Sequence, residues 1–152
     1  MYSFEVSSVK KLHPEEVMHG IYLWILHADK IPPHIGISKN GLYFSLKVTG
    51  KDEHFPVEKL IRLLNRKKIA SLVIKTSENS IRFKRLSDVF DNYQSVENDG
   101  HTCLTPISEI YFSEPKDLIL SELLNLLNEA GVMEEIYGIH LPESYRGILF
   151  YE

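Results

Sequence analysis

The dipeptide Asn40-Gly41, set between two runs of alternating residues, restricts most strongly what this chain can fold into. A two-residue type I′ turn needs positive φ at both central positions, and Asn-Gly adopts it readily. Such a turn fixes a register. Lys39 faces Leu42, Ser38 faces Tyr43, Ile37 faces Phe44, Gly36 faces Ser45, Ile35 faces Leu46 and His34 faces Lys47. Directly opposed residues share a face of the sheet. One face therefore carries Ile35, Ile37, Phe44 and Leu46, joined by Leu42 and Val48, and is assigned to the core. The other carries His34, Gly36, Ser38, Tyr43, Ser45 and Lys47. It is expected to be open, with a glycine gap beside the histidine that leaves room for a substrate.

Around this hairpin the pattern predicts further elements. Tyr2 to Val6 alternates as an edge strand or a lead-in segment, and His13 to Met18 reads as a short helical turn ended by Gly20. Ile21 to His27 is apolar on both sides, as a central strand is. Residues 49–53 read as a polar loop. Val57, Leu60, Ile61 and Leu64 recur at helical spacing behind Pro56. Ala70 to Thr76 is a strand, Ile81 to Lys84 a strand or extended tail, and Ser87 to Phe90 the start of a short helix. The polar stretch from Asp91 to Thr102 is expected to be a surface loop of unusual length. Thr105-Pro106 supplies an N-cap and first helical position, and Ser113-Glu114-Pro115 ends that helix and caps the next. Leu118, Ile119, Leu123, Leu126, Leu127 and Ala130 form its apolar stripe. Arg146 to Tyr151 is a last strand. Strand clusters separated by helices give an α+β domain over residues 1–152.

Composition narrows the class. A net charge of -4 and the lack of a basic cluster beyond Arg66-Lys67-Lys68 speak against a nucleic-acid partner. The longest apolar run, Ile21 to Leu26, falls far short of the roughly 20 residues of a membrane helix. Glu5, Lys10 and Lys11 interrupt any signal-peptide core, and a single cysteine fits a reducing compartment. A cytoplasmic location is the expectation.

No glycine-rich phosphate loop, His-x-x-x-His or Cys-x-x-Cys is present, so no cofactor or structural metal is expected. Cys103 remains, in Gly100-His101-Thr102-Cys103-Leu104-Thr105-Pro106, at the mouth of a predicted helix whose dipole favours a thiolate. A thiol nucleophile needs a base from elsewhere in the fold, and His34 is the best candidate. A metal held by His101, Cys103 and a distant histidine is a lesser alternative. So is a plain core cysteine, since unpaired cysteine is commonly buried.

The order of these segments resembles a known family. The strand carrying His34-Ile35-Gly36-Ile37-Ser38, the hairpin to Leu42-Tyr43-Phe44, the Pro56-led helix and the strand Leu72-Val73-Ile74 resemble the H-x-G-I core of papain-like NlpC/P60 proteins. The cysteine follows the histidine and stands at a helix start, as in the circularly permuted branch that includes lecithin–retinol acyltransferase-like proteins. The resemblance covers roughly Ile21 to Phe112. It implies a small antiparallel sheet with helices packed on one face, Cys103 as nucleophile and His34 as its base. The third, orienting residue of that family would fall among Lys47, Ser45 and Tyr43, none of which is the usual His, Asn, Gln or Asp. His101 joins these three as a candidate binding residue. The implied chemistry is acyl transfer through a thioester on an amide or ester, from a small molecule or peptide. The competing reading is a catalytically inactive α+β binding domain, which needs no exposed thiol.

Overall fold

A computed structural model of the chain describes residues 2–81, 85–99, 102–116 and 118–149, with the backbone alone at 98 and 99. Strands β1 (Tyr2–Glu5) and β2 (Lys10–Lys11) lead into β3 (Ile21–Leu26), the hairpin β4 (His34–Lys39) and β5 (Leu42–Leu46), and β6 (Lys51–Pro56). Helix α1 (Val57–Lys67) and strand β7 (Ser71–Thr76) come next. Helices α2 (Leu86–Phe90), α3 (Val96–Asp99), α4 (Thr105–Phe112) and α5 (Leu120–Glu129) precede the closing strands β8 (Met133–Ile139) and β9 (Gly147–Leu149). The fold is α+β. Seven strands form one sheet in the order β2-β8-β7-β3-β4-β5-β6, antiparallel except where β2 runs beside β8. Strands β1 and β9 pair separately.

The sheet is covered on both faces, where one was expected. Alternate residues of β3 explain why. Ile21, Leu23 and Ile25 join Ile35, Ile37, Phe44 and Leu72 in a cluster closed by α2, α4 and α5. Tyr22 and Trp24 point the other way, with Tyr43, Val73 and Tyr137, and need a cover of their own. Helix α1 supplies it through the stripe Val57, Leu60, Ile61 and Leu64, all buried. Burying each such side chain is worth about 1.5–3 kcal/mol.

Asn40 and Gly41 take positive φ of 49° and 83°, as the turn requires. The ladder begins in the expected register, Lys39↔Leu42, Ser38↔Tyr43 and Ile37↔Phe44, and stops there. The other expected pairs, Gly36 with Ser45, Ile35 with Leu46 and His34 with Lys47, do not form. Past Leu46 the chain turns away: Lys47 N–H donates to the Gly50 carbonyl, and the Lys47 and Val48 carbonyls accept from the N–H groups of Val96 and Glu97. Val96 and Thr102 to Leu104 line the space beside the parted strands, with His34 and Leu46.

Several expectations are corrected. Leu42 and Val48 are exposed, Leu42 at the turn and Val48 where the strand has already left the sheet. The face expected to be open is buried at Ser38, Tyr43 and Ser45, because α1 lies over it. Residues 51–53 belong to β6, whose bulge lets Asp52 pair with Ser45. Thr105 is the first residue of α4 rather than its cap, and the Thr102 hydroxyl accepts from Leu104 N–H. The stripe of α5 is Leu120, Leu123, Leu124 and Leu127, while Leu126 is exposed. Part of the long polar stretch is the helix α3, and Tyr93 within it is buried. Residues 82–84, 150 and 151 lie outside the described residues. No helix among the described residues is long and apolar enough to cross a membrane.

The glycine gap is filled by the protein itself. A Cβ at Gly36 would overlap the Tyr43 ring and hydroxyl, which lie over the glycine. Tyr43 is backed by Trp24, edge to face at 6.3 Å, so it has little room to retreat. Gly36→Ala is expected to cost about 1–3 kcal/mol of stability by overpacking, read from the urea midpoint. Adding Tyr43→Phe to it should recover little, since the ring clashes as well as the hydroxyl.

Candidate functional site

In a two-residue hairpin, mutually hydrogen-bonded pairs recur every second residue. Lys39 with Leu42 closes the turn and Ile37 with Phe44 comes next, so a continued ladder would bond Ile35 to Leu46. Parting the strands leaves the Ile35 N–H without that partner. Cys103 lies near it: the backbone N–H groups of Ile35 and of Cys103 itself favour the ionised sulfur. The thiol is thus held at the split by chain connectivity, in the turn before α4, with Leu104 and Ile107 anchoring the turn to the core.

A cavity of about 440 Å³ occupies the same split. Pro32, Pro33, Leu46, Val48, Leu118 and Ile119 give it apolar walls, and His34, Thr102 and Cys103 supply polar groups. His34 and Cys103, far apart in sequence, therefore face one space. The imidazole is largely buried, and its Nε2 has no hydrogen-bond partner among the described residues. It makes no bond through Nε2 to the cysteine sulfur.

Electrostatics fix the resting protonation of both groups. Burial lowers the pKa of His34 below its ordinary value; the Asp52 carboxylate opposes this, and Lys47 and His27 reinforce it. Burial likewise raises the pKa of Cys103, and the two N–H groups only partly offset that. Both shifts favour the neutral form, a thiol and an imidazole lining one cavity. A thiolate favoured by the helix dipole was the sequence expectation; desolvation outweighs it.

Asp52, whose carboxylate acts electrostatically on His34, is a neighbour of the candidate site that sequence reasoning missed. It accepts a hydrogen bond from Ser45 Oγ at 3.1 Å, and its Oδ1 lies 3.3 Å from Lys47 Nζ. Ser45 and Lys47 are thus Asp52's partners. No hydrogen bond from either to His34 is among the described contacts. Extending the hairpin into a third strand would have placed Asp52 opposite Ser45, but the polar composition of 49–53 suggested a loop. Tyr43 lies below, with its hydroxyl buried, unpartnered among the described residues, and pushed up in pKa by burial. It faces Gly36 and is not among the residues lining the cavity. His101 lies outside the described residues, and so does any metal site built on it. Among the described residues no cluster of metal-ligating side chains occurs.

Compared with protein families, curated proteins and solved structures, the chain gives no match.

Because His34 binds protons more weakly folded than unfolded, the unfolded chain carries more protons between the two pKa values, and stability falls with acid in that window. The contribution is fully present above the unfolded value of about 6.5 and is lost as the pH drops through the folded one. An NMR titration of the His34 ring should give a midpoint below 6.5, rising in Lys47→Met and falling further in Asp52→Asn. A midpoint at or above the ordinary value would contradict this description of the site.

Proposed function

We propose that the chain is a cysteine hydrolase or acyltransferase of the permuted papain-like kind, acting through a thioester on an amide or ester with an apolar acyl part. One observation carries the reading: Cys103 and His34 line a single, mostly apolar cavity at the split of the hairpin. In this scheme the neutral imidazole takes the thiol proton as sulfur attacks the substrate carbonyl. The carbon–sulfur bond forms and the bond to the leaving group breaks. The imidazolium returns the proton to the departing alcohol or amine. Water, or another acceptor, then gives its proton to His34 and attacks the thioester, releasing the acyl group and restoring the thiol.

The N–H groups of Ile35 and Cys103 are suited to receive the oxyanion, since both favour the ionised sulfur. Asp52 stabilises the imidazolium while it exists, taking the part that the family gives to a third polar residue. A small molecule or peptide in a cytoplasmic, reducing setting suits the lone thiol. A second reading, a non-catalytic domain that binds an apolar ligand in this cavity, draws on the raised pKa of Cys103.

The two readings separate on incubation with p-nitrophenyl butyrate, followed by intact-mass analysis. The catalytic reading expects a butyryl adduct on Cys103, turnover lost in Cys103→Ala, and a drop of about 10²–10⁴-fold in His34→Ala. Saturable binding without adduct or turnover would leave only the binding domain.

A further inference from the structure

A second groove, of about 640 Å³, lies between the β1 segment and β8 and shares no lining residue with the cavity at the hairpin. Its walls are two unbroken runs of backbone, residues 2–8 on one side and 133–136 on the other. Residues of both parities line it, so each strand presents an edge rather than a face.

Among the described residues both strands keep an unpaired stretch of edge. β1 pairs there only with β9. β8 pairs with β7 along one side, but on the other the two-residue strand β2 covers only Tyr137 and Gly138. Met133 to Ile136 is left outside that pairing. Unpaired edges are templates for another strand, and proteins usually blunt them with lysine, proline or a covering loop. Here the groove brings two such edges together, while Asn125 and Asn128 of α5 add amide groups.

The charge of the rim selects among occupants. Glu5, Glu134 and Glu135 face the groove against one ammonium, that of Lys10. Lys10 is held by Glu135 at 2.8 Å, and Glu134 lies 3.8 Å from Lys75 on the neighbouring strand. Glu5 is exposed and has no ion pair among the described residues. A basic segment meets a free carboxylate there, whereas an acidic one meets repulsion.

We infer that this groove binds an extended, basic peptide segment of another protein by β-strand addition. Backbone hydrogen bonds to the edges supply affinity and the glutamates supply the preference for lysine or arginine. The site is separate from the cavity at the hairpin, and neither depends on the other.

The test uses the full chain and acetyl-Lys-Val-Lys-Val-Lys-Val-amide as probe, followed by amide NMR and hydrogen exchange. The expected result is shifts and slowed exchange confined to residues 2–6 and 133–136. Binding should weaken by about tenfold in the double variant Glu5→Gln, Glu134→Gln. It should vanish for the same peptide with its backbone N-methylated. Absence of shifts would overturn the inference, as would equal binding of the N-methylated or of a Glu-Val peptide. Concentration-dependent shifts at these amides without peptide would instead assign the edges to a second copy of this chain.

Discussion

Beyond Ile37 and Phe44 the strands of the central hairpin part, and the candidate site depends on that separation. A continued ladder would bond Ile35 to Leu46 and leave no space between β4 and β5. Instead the Lys47–Gly50 turn carries the chain outward, where Val96 and Glu97 bind it. The loss of strand bonds is offset by these new ones. The opening that results exposes a backbone N–H to the thiol of Cys103 and the apolar sides of Leu46 and Val48 to a cavity.

Burial governs the chemistry of that space. It acts on the imidazole and the thiol in opposite directions of pKa but with one consequence, since each is pushed toward its neutral form. Under the proposed function, a thiol–imidazole pair in such surroundings would work by proton transfer during attack rather than from a standing ion pair. Lys47 and Asp52 modulate this from a polar cluster near the sheet's end, where Ser45 ties the carboxylate to β5. The same sheet face that carries this cluster is, a few residues on, a packed core under α1. A face can be polar in sequence and still be covered when a helix with a strong apolar stripe follows.

Much of the architecture was legible, and the exceptions have physical reasons. Asn40-Gly41 determines its own turn and the first three pairs because the information is local. Where the ladder ends depends on contacts from residues 96 and 97, which no pattern within the hairpin reports. The stripe of α1 was readable from spacing, but which sheet face it covers was not, because β3 is apolar on both. Strand β8 was missed altogether: Met133 to Ile139 mixes glutamates with apolar residues, since the exposed end of the strand stands at an open edge. His34 and Cys103 were identifiable as candidates by residue type. Their meeting in one cavity is a property of the split, and Asp52 was hidden by a strand that reads as a loop.

The most direct test of the account is the pH profile of Cys103 acylation by p-nitrophenyl butyrate, in the wild type and in His34→Ala. With His34 as the base, the wild-type rate rises through a midpoint below about 6.5, the ordinary histidine value, and then levels. In His34→Ala that acid limb disappears, and only the rise that follows thiol ionisation, above about 8.5, remains. Identical profiles in the two proteins would contradict the account, for the histidine would then share a cavity with the cysteine without acting on it.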